Sequence, residues 1–179
     1  MVLGFRTKWQ IENMPIHMAG KPTYFIEKIW ASVIHSIREV NISHYEEYLN
    51  AHKSLFGTDF GYNKVKINPK HHTIRRDELN RWIEGKKIHY YINNRTPQRF
   101  QFAPVLKCIS TQRIEITYDE TICERECSEP TVFIDGKFMN YEKLELLALN
   151  DGFDSIEDFF AWFNKDFKGK IIHWTDLKY

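Results

Sequence analysis

The sequence predicts an α+β protein in which a small curved or closed β-barrel of mainly antiparallel strands is flanked by helices and carries a helical insertion. Segments rich in β-branched and aromatic residues are grouped in the middle of the chain instead of alternating with helical ones, which argues against a doubly wound parallel sheet. Helical periodicity lies on both sides of that block. The 179 residues, 42% hydrophobic and 15% aromatic, suffice for one buried core, and no linker or repeat divides them. Residues 1–179 therefore read as a single domain, with 38–63 as the insertion.

Val2 to Trp9 reads as a first strand, followed by turns through Pro15 and Gly20. From Pro22 or Thr23, the residues Phe25, Ile26, Ile29, Trp30, Val33, Ile34 and Ile37 recur at spacings of three and four, the stripe of an amphipathic helix. A second helix is expected from Ser43, whose hydroxyl would cap the amide of Glu46, with Tyr48, Leu49, Leu55 and Phe56 inward and Gly57 as its stop. Val65 to Ile67 and His72 to Arg75 read as short strands around Asn68-Pro69. Asp77 is expected to cap a short helix, Glu78 to Glu84, closed by Gly85. Lys87 to Ile92, Phe100 to Ser110 and Gln112 to Tyr118 read as consecutive strands, with Asn93 to Pro97 a loop. Asp135-Gly136 between two apolar triplets is a hairpin signal, since both positions tolerate positive φ. Helices over Tyr141 to Leu149 and Ser155 to Phe163 and a last strand, Lys170 to Trp174, complete the order.

Net charge is only +1, but it is unevenly spread. Residues 64–107 carry a net +8 and residues 108–166 a net −9. The densest basic stretch is Lys64, Lys66, Lys70, Arg75 and Arg76, with His71 and His72 among them. Such a face suits a phosphate-bearing partner; the alternative is a solvated basic surface neutralised by the acidic segment. Arg6, Lys8 and Glu12 interrupt any secretory signal, and no run approaches a membrane span, so a cytoplasmic protein without membrane association is expected. The three cysteines, Cys108, Cys123 and Cys127, form no disulfide framework. Cys123 and Cys127 find no second pair at metal-ligand spacing, and neither a metal nor a cofactor is called for.

The stretch Lys70-His71-His72-Thr73-Ile74-Arg75-Arg76 carries the chemistry. On a strand, Thr73 and Arg75 share one face and His72 and Ile74 the other. With Ile74 inward, Thr73 and Arg75 would face a groove that Lys70 shares, and an ammonium, a hydroxyl and a guanidinium together can hold a phosphate or a carbonyl oxygen. Of the nearby rings, Trp82, Tyr90, Tyr91, Phe100, Phe102 and Trp174, most are expected in the core, with one of Tyr90 and Tyr91 outward for stacking.

Lys70-x-x-Thr73-Ile74-Arg75, the preceding helix Thr23-Tyr24-Phe25-Ile26-Glu27-Lys28-Ile29 and the turn Asn150-Asp151-Gly152-Phe153-Asp154-Ser155 resemble the ASCH domain of the PUA-like superfamily. The resemblance covers residues 1–30 and about 64–179. It departs at Asn68, where the family usually has glycine, and at Asp151, where its small amidohydrolases have glutamate. It implies a pocket for a base or modified nucleoside, often in RNA, lined by Lys70, Thr73, Arg75, Arg76, Tyr90 and Asp151. In the amidohydrolase members that act on N4-acetylcytidine, the counterpart of Lys70 serves as general base or charge stabiliser and that of Thr73 as candidate nucleophile, while the acid at Asp151 orients the lysine. Because Asp151 is one methylene shorter, nucleoside or RNA binding is the expected function and hydrolysis the alternative. A protein-interaction module using the basic and acidic halves is a third.

Overall fold

The computed structural model describes residues 1–61, 67–118 and 130–179, and within them the chain is an α+β structure of two sheets and four helices. In chain order the elements are β1 (Val2–Phe5), α1 (Phe25–Ser36), α2 (Ile42–Phe56), β2 (His72–Arg75), β3 (Lys87–Ile92), β4 (Phe100–Gln101), β5 (Leu106–Lys107), β6 (Ser110–Thr117), β7 (Thr131–Ile134), β8 (Lys137–Phe138), α3 (Tyr141–Asn150), α4 (Ile156–Trp162) and β9 (Phe167–His173). No described helix is long and apolar enough to cross a membrane.

The barrel does not close. One sheet has β3 at its centre, parallel to β1 and antiparallel to β4 and β5; the other runs β2-β9-β6-β7-β8, all antiparallel. The strand expected over Phe100 to Ser110 breaks at Ala103-Pro104, because proline has no amide to give a ladder. The two short pieces, β4 and β5, both return to β3 and leave the second sheet to form on its own.

Other boundaries follow from local chemistry. Asn41, not Ser43, caps α2: its side chain accepts from the His44 amide, and the His44 ring accepts from the Asn41 amide, a reciprocal box. The buried residues of α2 are Tyr45 and His52, whereas Leu55 is exposed. No helix follows Asp77. Its carboxylate accepts from the amides of Arg81 and Trp82, and Asn80 at φ 50° turns the chain out of the helical region. Asp135 and Gly136, at φ 50° and 78°, form the expected tight hairpin between β7 and β8. The strand expected at Val65 lies largely outside the described residues, as do Lys64, Lys66, Cys123 and Cys127.

Two apolar cores result. One gathers Ile29, Trp30, Ile88, Tyr90, Phe102 and Trp174 around the first sheet and α1. The other packs Ile114, Ile116, Val132, Leu147, Phe159 and Ile171 between the second sheet and α3–α4. Phe25, half-buried at the first position of α1, packs against both.

Candidate functional site

The start of β2 is strapped between two helices. The Lys70 amide donates to the Lys28 carbonyl of α1 at 2.9 Å, and the His71 amide donates to the Asn150 carbonyl at the end of α3 at the same distance. These ties bring the lysine of the early motif against the acid of the late turn across 81 positions of sequence. Lys70 Nζ donates to the Asp151 carbonyl and, at 2.6 Å, to Asp151 Oδ1. Gly152, at φ +88°, makes room for this contact: a Cβ there would stand 3.1 Å from both Lys70 Cδ and a ring carbon of Phe25. The Phe25 ring centroid is 4.9 Å from Lys70 Nζ.

Of the predicted trio, Lys70 and Asp151 meet directly. Thr73 is buried on β2, paired with Ile172 of β9, and alternation turns its side chain to the face opposite that of His72. The pair is enclosed: Lys70 is 1% exposed and Asp151 4%. Burial lowers the Lys70 ammonium to about 8 against the opposing pull of Asp151, with Arg75 and Lys28 pressing it further down. Burial alone would raise the Asp151 carboxyl, but Lys70 and His72 outweigh it and hold the group below its ordinary range. A second lysine, Lys28, is buried alongside and donates to the Gly152 carbonyl at 2.8 Å and to Asp154 at 2.6 Å.

Arg75 lies on the same face of β2 as Thr73. It donates to the Gly4 carbonyl at 3.0 Å and covers the Phe5 ring at 5.2 Å. Arg76 points outward over Phe167 at 5.6 Å. Tyr90 does not belong to the site: it is fully buried among Phe5, Phe102 and Trp174, so it offers no stacking face. Its half-exposed neighbour Tyr91 is covered by the Arg99 guanidinium at 3.8 Å.

Phe25, which Lys70 Nζ approaches, also lines open space. A cavity of about 370 Å³ is lined by Tyr24, Phe25, Glu27, His52, Phe56 and Phe60, among others. It adjoins one of about 390 Å³ lined by Gly4, Phe5, Arg6, Thr7, Lys8, Asn93 and Asn94. Thr7 and Asn93 belong to both linings, so the two form one depression, aromatic at one end and cationic at the other. Phe25 is thus shared by the Lys70 contact and the lining of the open space.

Sequence reasoning passed over the groups behind Asp151. His72 Nδ1 is 3.5 Å from Asp151 Oδ1, and His72 Nε2 is 2.6 Å from the Tyr179 hydroxyl, which also accepts from Asn150 Nδ2 at 3.0 Å. If the Tyr179 hydroxyl donates to His72 Nε2, the His72 proton sits on Nδ1, on the side of Asp151. A signal was present: along the inner face of the second sheet, His72, His173, Ser110 and Gln112 occupy positions where the same strands elsewhere place Ile74, Ile171, Ile114 and Ile116. Among the described residues, no group of three or more His, Cys, Asp or Glu side chains is arranged to hold a metal ion.

No family model, curated protein or solved structure matches the chain.

Proposed function

We propose that this ASCH-like protein binds a nucleoside or a single-stranded nucleic-acid segment, RNA in particular, in the depression over Phe25. The observation that carries the reading is the division of that depression. Arg6 and Lys8 line its outer part, with Arg75 bordering it through Gly4 and Phe5, and these cations suit phosphate. The inner part has aromatic walls and two carboxyl groups, Glu27 and Asp59. Those acids repel phosphate and can accept hydrogen bonds from the amino group of a base stacked on Phe25 or Tyr24. Burial raises the Glu27 carboxyl, so its charged form is less favoured there than in water.

Titration of a short RNA oligonucleotide at two salt concentrations tests the reading. Affinity is expected to fall at the higher salt, and Arg6→Ala or Arg75→Ala each to weaken binding and reduce the salt slope by about one. Absence of binding at either salt removes the proposal.

One observation favours a second reading, hydrolysis of an acylated nucleoside such as N4-acetylcytidine. A lysine brought down to about 8 beside a carboxylate is suited to take a proton from Thr73 or from water. Release of acetate that is abolished by Lys70→Ala would support hydrolysis; release that survives the substitution places the chemistry elsewhere.

A further inference from the structure

A cavity of about 650 Å³, larger than either part of the depression, lies over the outer face of the second sheet. It shares no lining residue with the depression. Cross-strand register sets its floor: Arg113 lies opposite Lys170, Glu115 opposite both Lys168 and Phe133, and Phe133 opposite Phe138. Two of the cations are already answered. Lys168 pairs with Glu115 at 2.6 Å, and Lys170 donates to the Trp82 carbonyl at 2.8 Å and lies 3.2 Å from Asp77. Among the described residues, the side chains of Arg113 and Glu78 have no such partner, although both are exposed and both line the cavity.

The turn over residues 77–80 forms one rim and holds a large apolar side chain in water. Leu79, beside Glu78, is 75% exposed. The turn is braced, because the Asp77 carboxylate accepts from the Arg81 and Trp82 amides and Lys170 ties it to β9. On the other side of the floor Phe133 and Phe138 are 36% and 62% exposed and meet edge to face at 6.1 Å. A rigid apolar knob and an apolar seat therefore occur on one face, and each stands next to an unpaired charge. Glu78 precedes the knob, and Arg113 lies diagonal to Phe133 of the seat.

We propose that this face is the two-fold interface of a homodimer, in which Leu79 of each copy seats against the partner's Phe133 and Phe138 while Glu78 pairs with the partner's Arg113. The charge pattern selects this occupant. Among the described lining residues, Arg113, Lys168 and Lys170 balance Asp77, Glu78 and Glu115, so a ligand of one sign would meet as many like charges as opposite ones. A second copy turned about a two-fold axis sets each unpaired charge against its opposite, and does so twice. The apolar contacts supply affinity, and the ion pairs fix the register. The inference goes beyond the nucleic-acid reading of the depression and does not depend on it.

Sedimentation equilibrium of the full chain over a wide range of protein concentration tests the interface. The mass is expected to rise from that of one chain to that of two. Leu79→Asp and Phe133→Asp should each weaken the dimer about tenfold or more, and should one of them fail to fold, the other carries the test. Arg113→Glu and Glu78→Arg, each alone, bring like charges together and should weaken it as well. Mixed in equal amounts, these two variants are expected to associate about tenfold or more tighter than either does by itself, because one ion pair re-forms as it was and the other with its signs exchanged. A protein that keeps the mass of one chain throughout overturns the inference. A dimer unmoved by the Leu79 and Phe133 substitutions does so too, since it would use another face. A mixture no tighter than its components overturns the pairing of Glu78 with Arg113 and with it the two-fold arrangement.

Discussion

Lys70 and Asp151 form a buried ion pair whose two members have very different effects when removed. Asp151→Asn leaves an ammonium enclosed without its counter-charge, and a loss of about 3–5 kcal/mol in urea unfolding is expected. Adding Lys70→Met to that variant should recover a large part of the loss, because the stranded charge is gone. The pH dependence separates the two groups. Asp151, held below its ordinary range, contributes stability that is present at neutral pH and is lost as pH falls through its folded value. Lys70 behaves oppositely: with about 8 in the folded state against an ordinary 10.5, the unfolded chain binds the extra proton, so its contribution to stability rises with pH across that window. Lys70→Met should therefore remove a rise in unfolding free energy between about pH 8 and pH 10.5. Burial raises Tyr90 and Tyr179, which pull stability down above about pH 10 in both proteins and so cancel from the comparison. The Lys70–Asp151 meeting was legible because both residues sit in short motifs with a recognisable order. The His72 to Tyr179 contact was not, for it joins positions 107 apart and Tyr179 has no motif around it.

Among the elements, those whose signal is periodic came through the sequence almost intact: α1, β3, the β7–β8 hairpin, α3 and α4 are close to where apolar spacing and turn chemistry put them. The failures occur where capping, turn or proline chemistry overrides composition. Ser43 and Glu46 offer a capping box, yet Asn41 and His44 form one two residues earlier and start the helix at Ile42. Asn41→Ala is accordingly expected to cost about 1 kcal/mol in thermal or urea unfolding, and Ser43→Ala to lie within about half that of the wild type. At Asp77 the same residue type that caps helices instead closes a turn, because its carboxylate reaches the amides of Arg81 and Trp82 and is braced by Lys170 at 3.2 Å. A propensity scale cannot see Lys170, which arrives from the last strand. The broken barrel has a similar origin. Phe100 to Ser110 has the composition of one strand, but Pro104 withholds an amide in its middle, and the two halves each pair with β3.

At the scale of the molecule, two cores meet at Phe25, which also contacts Lys70 and lines the depression. Its edge contacts with Trp9 at 5.2 Å and Phe5 at 6.2 Å tie the core under α3–α4 to the core under α1. Phe25→Ala should therefore do two things at once. Removal of a large ring from a junction that cannot collapse freely is expected to cost about 3 kcal/mol, the low end for such truncations because the ring is only half-buried. Water admitted to the vacated space would hydrate the ammonium, relieve the desolvation that dominates its shift, and raise Lys70 from about 8 toward its ordinary 10.5. Titration of the Lys70 side-chain resonance in Phe25→Ala and Phe25→Leu measures this directly. A rise in Phe25→Ala with little change in Phe25→Leu identifies the ring as the seal. An unmoved Lys70 in a folded Phe25→Ala protein would mean that α1 and the Gly152 turn enclose the pair without it, and that a ligand in the depression has no route to the lysine past Phe25.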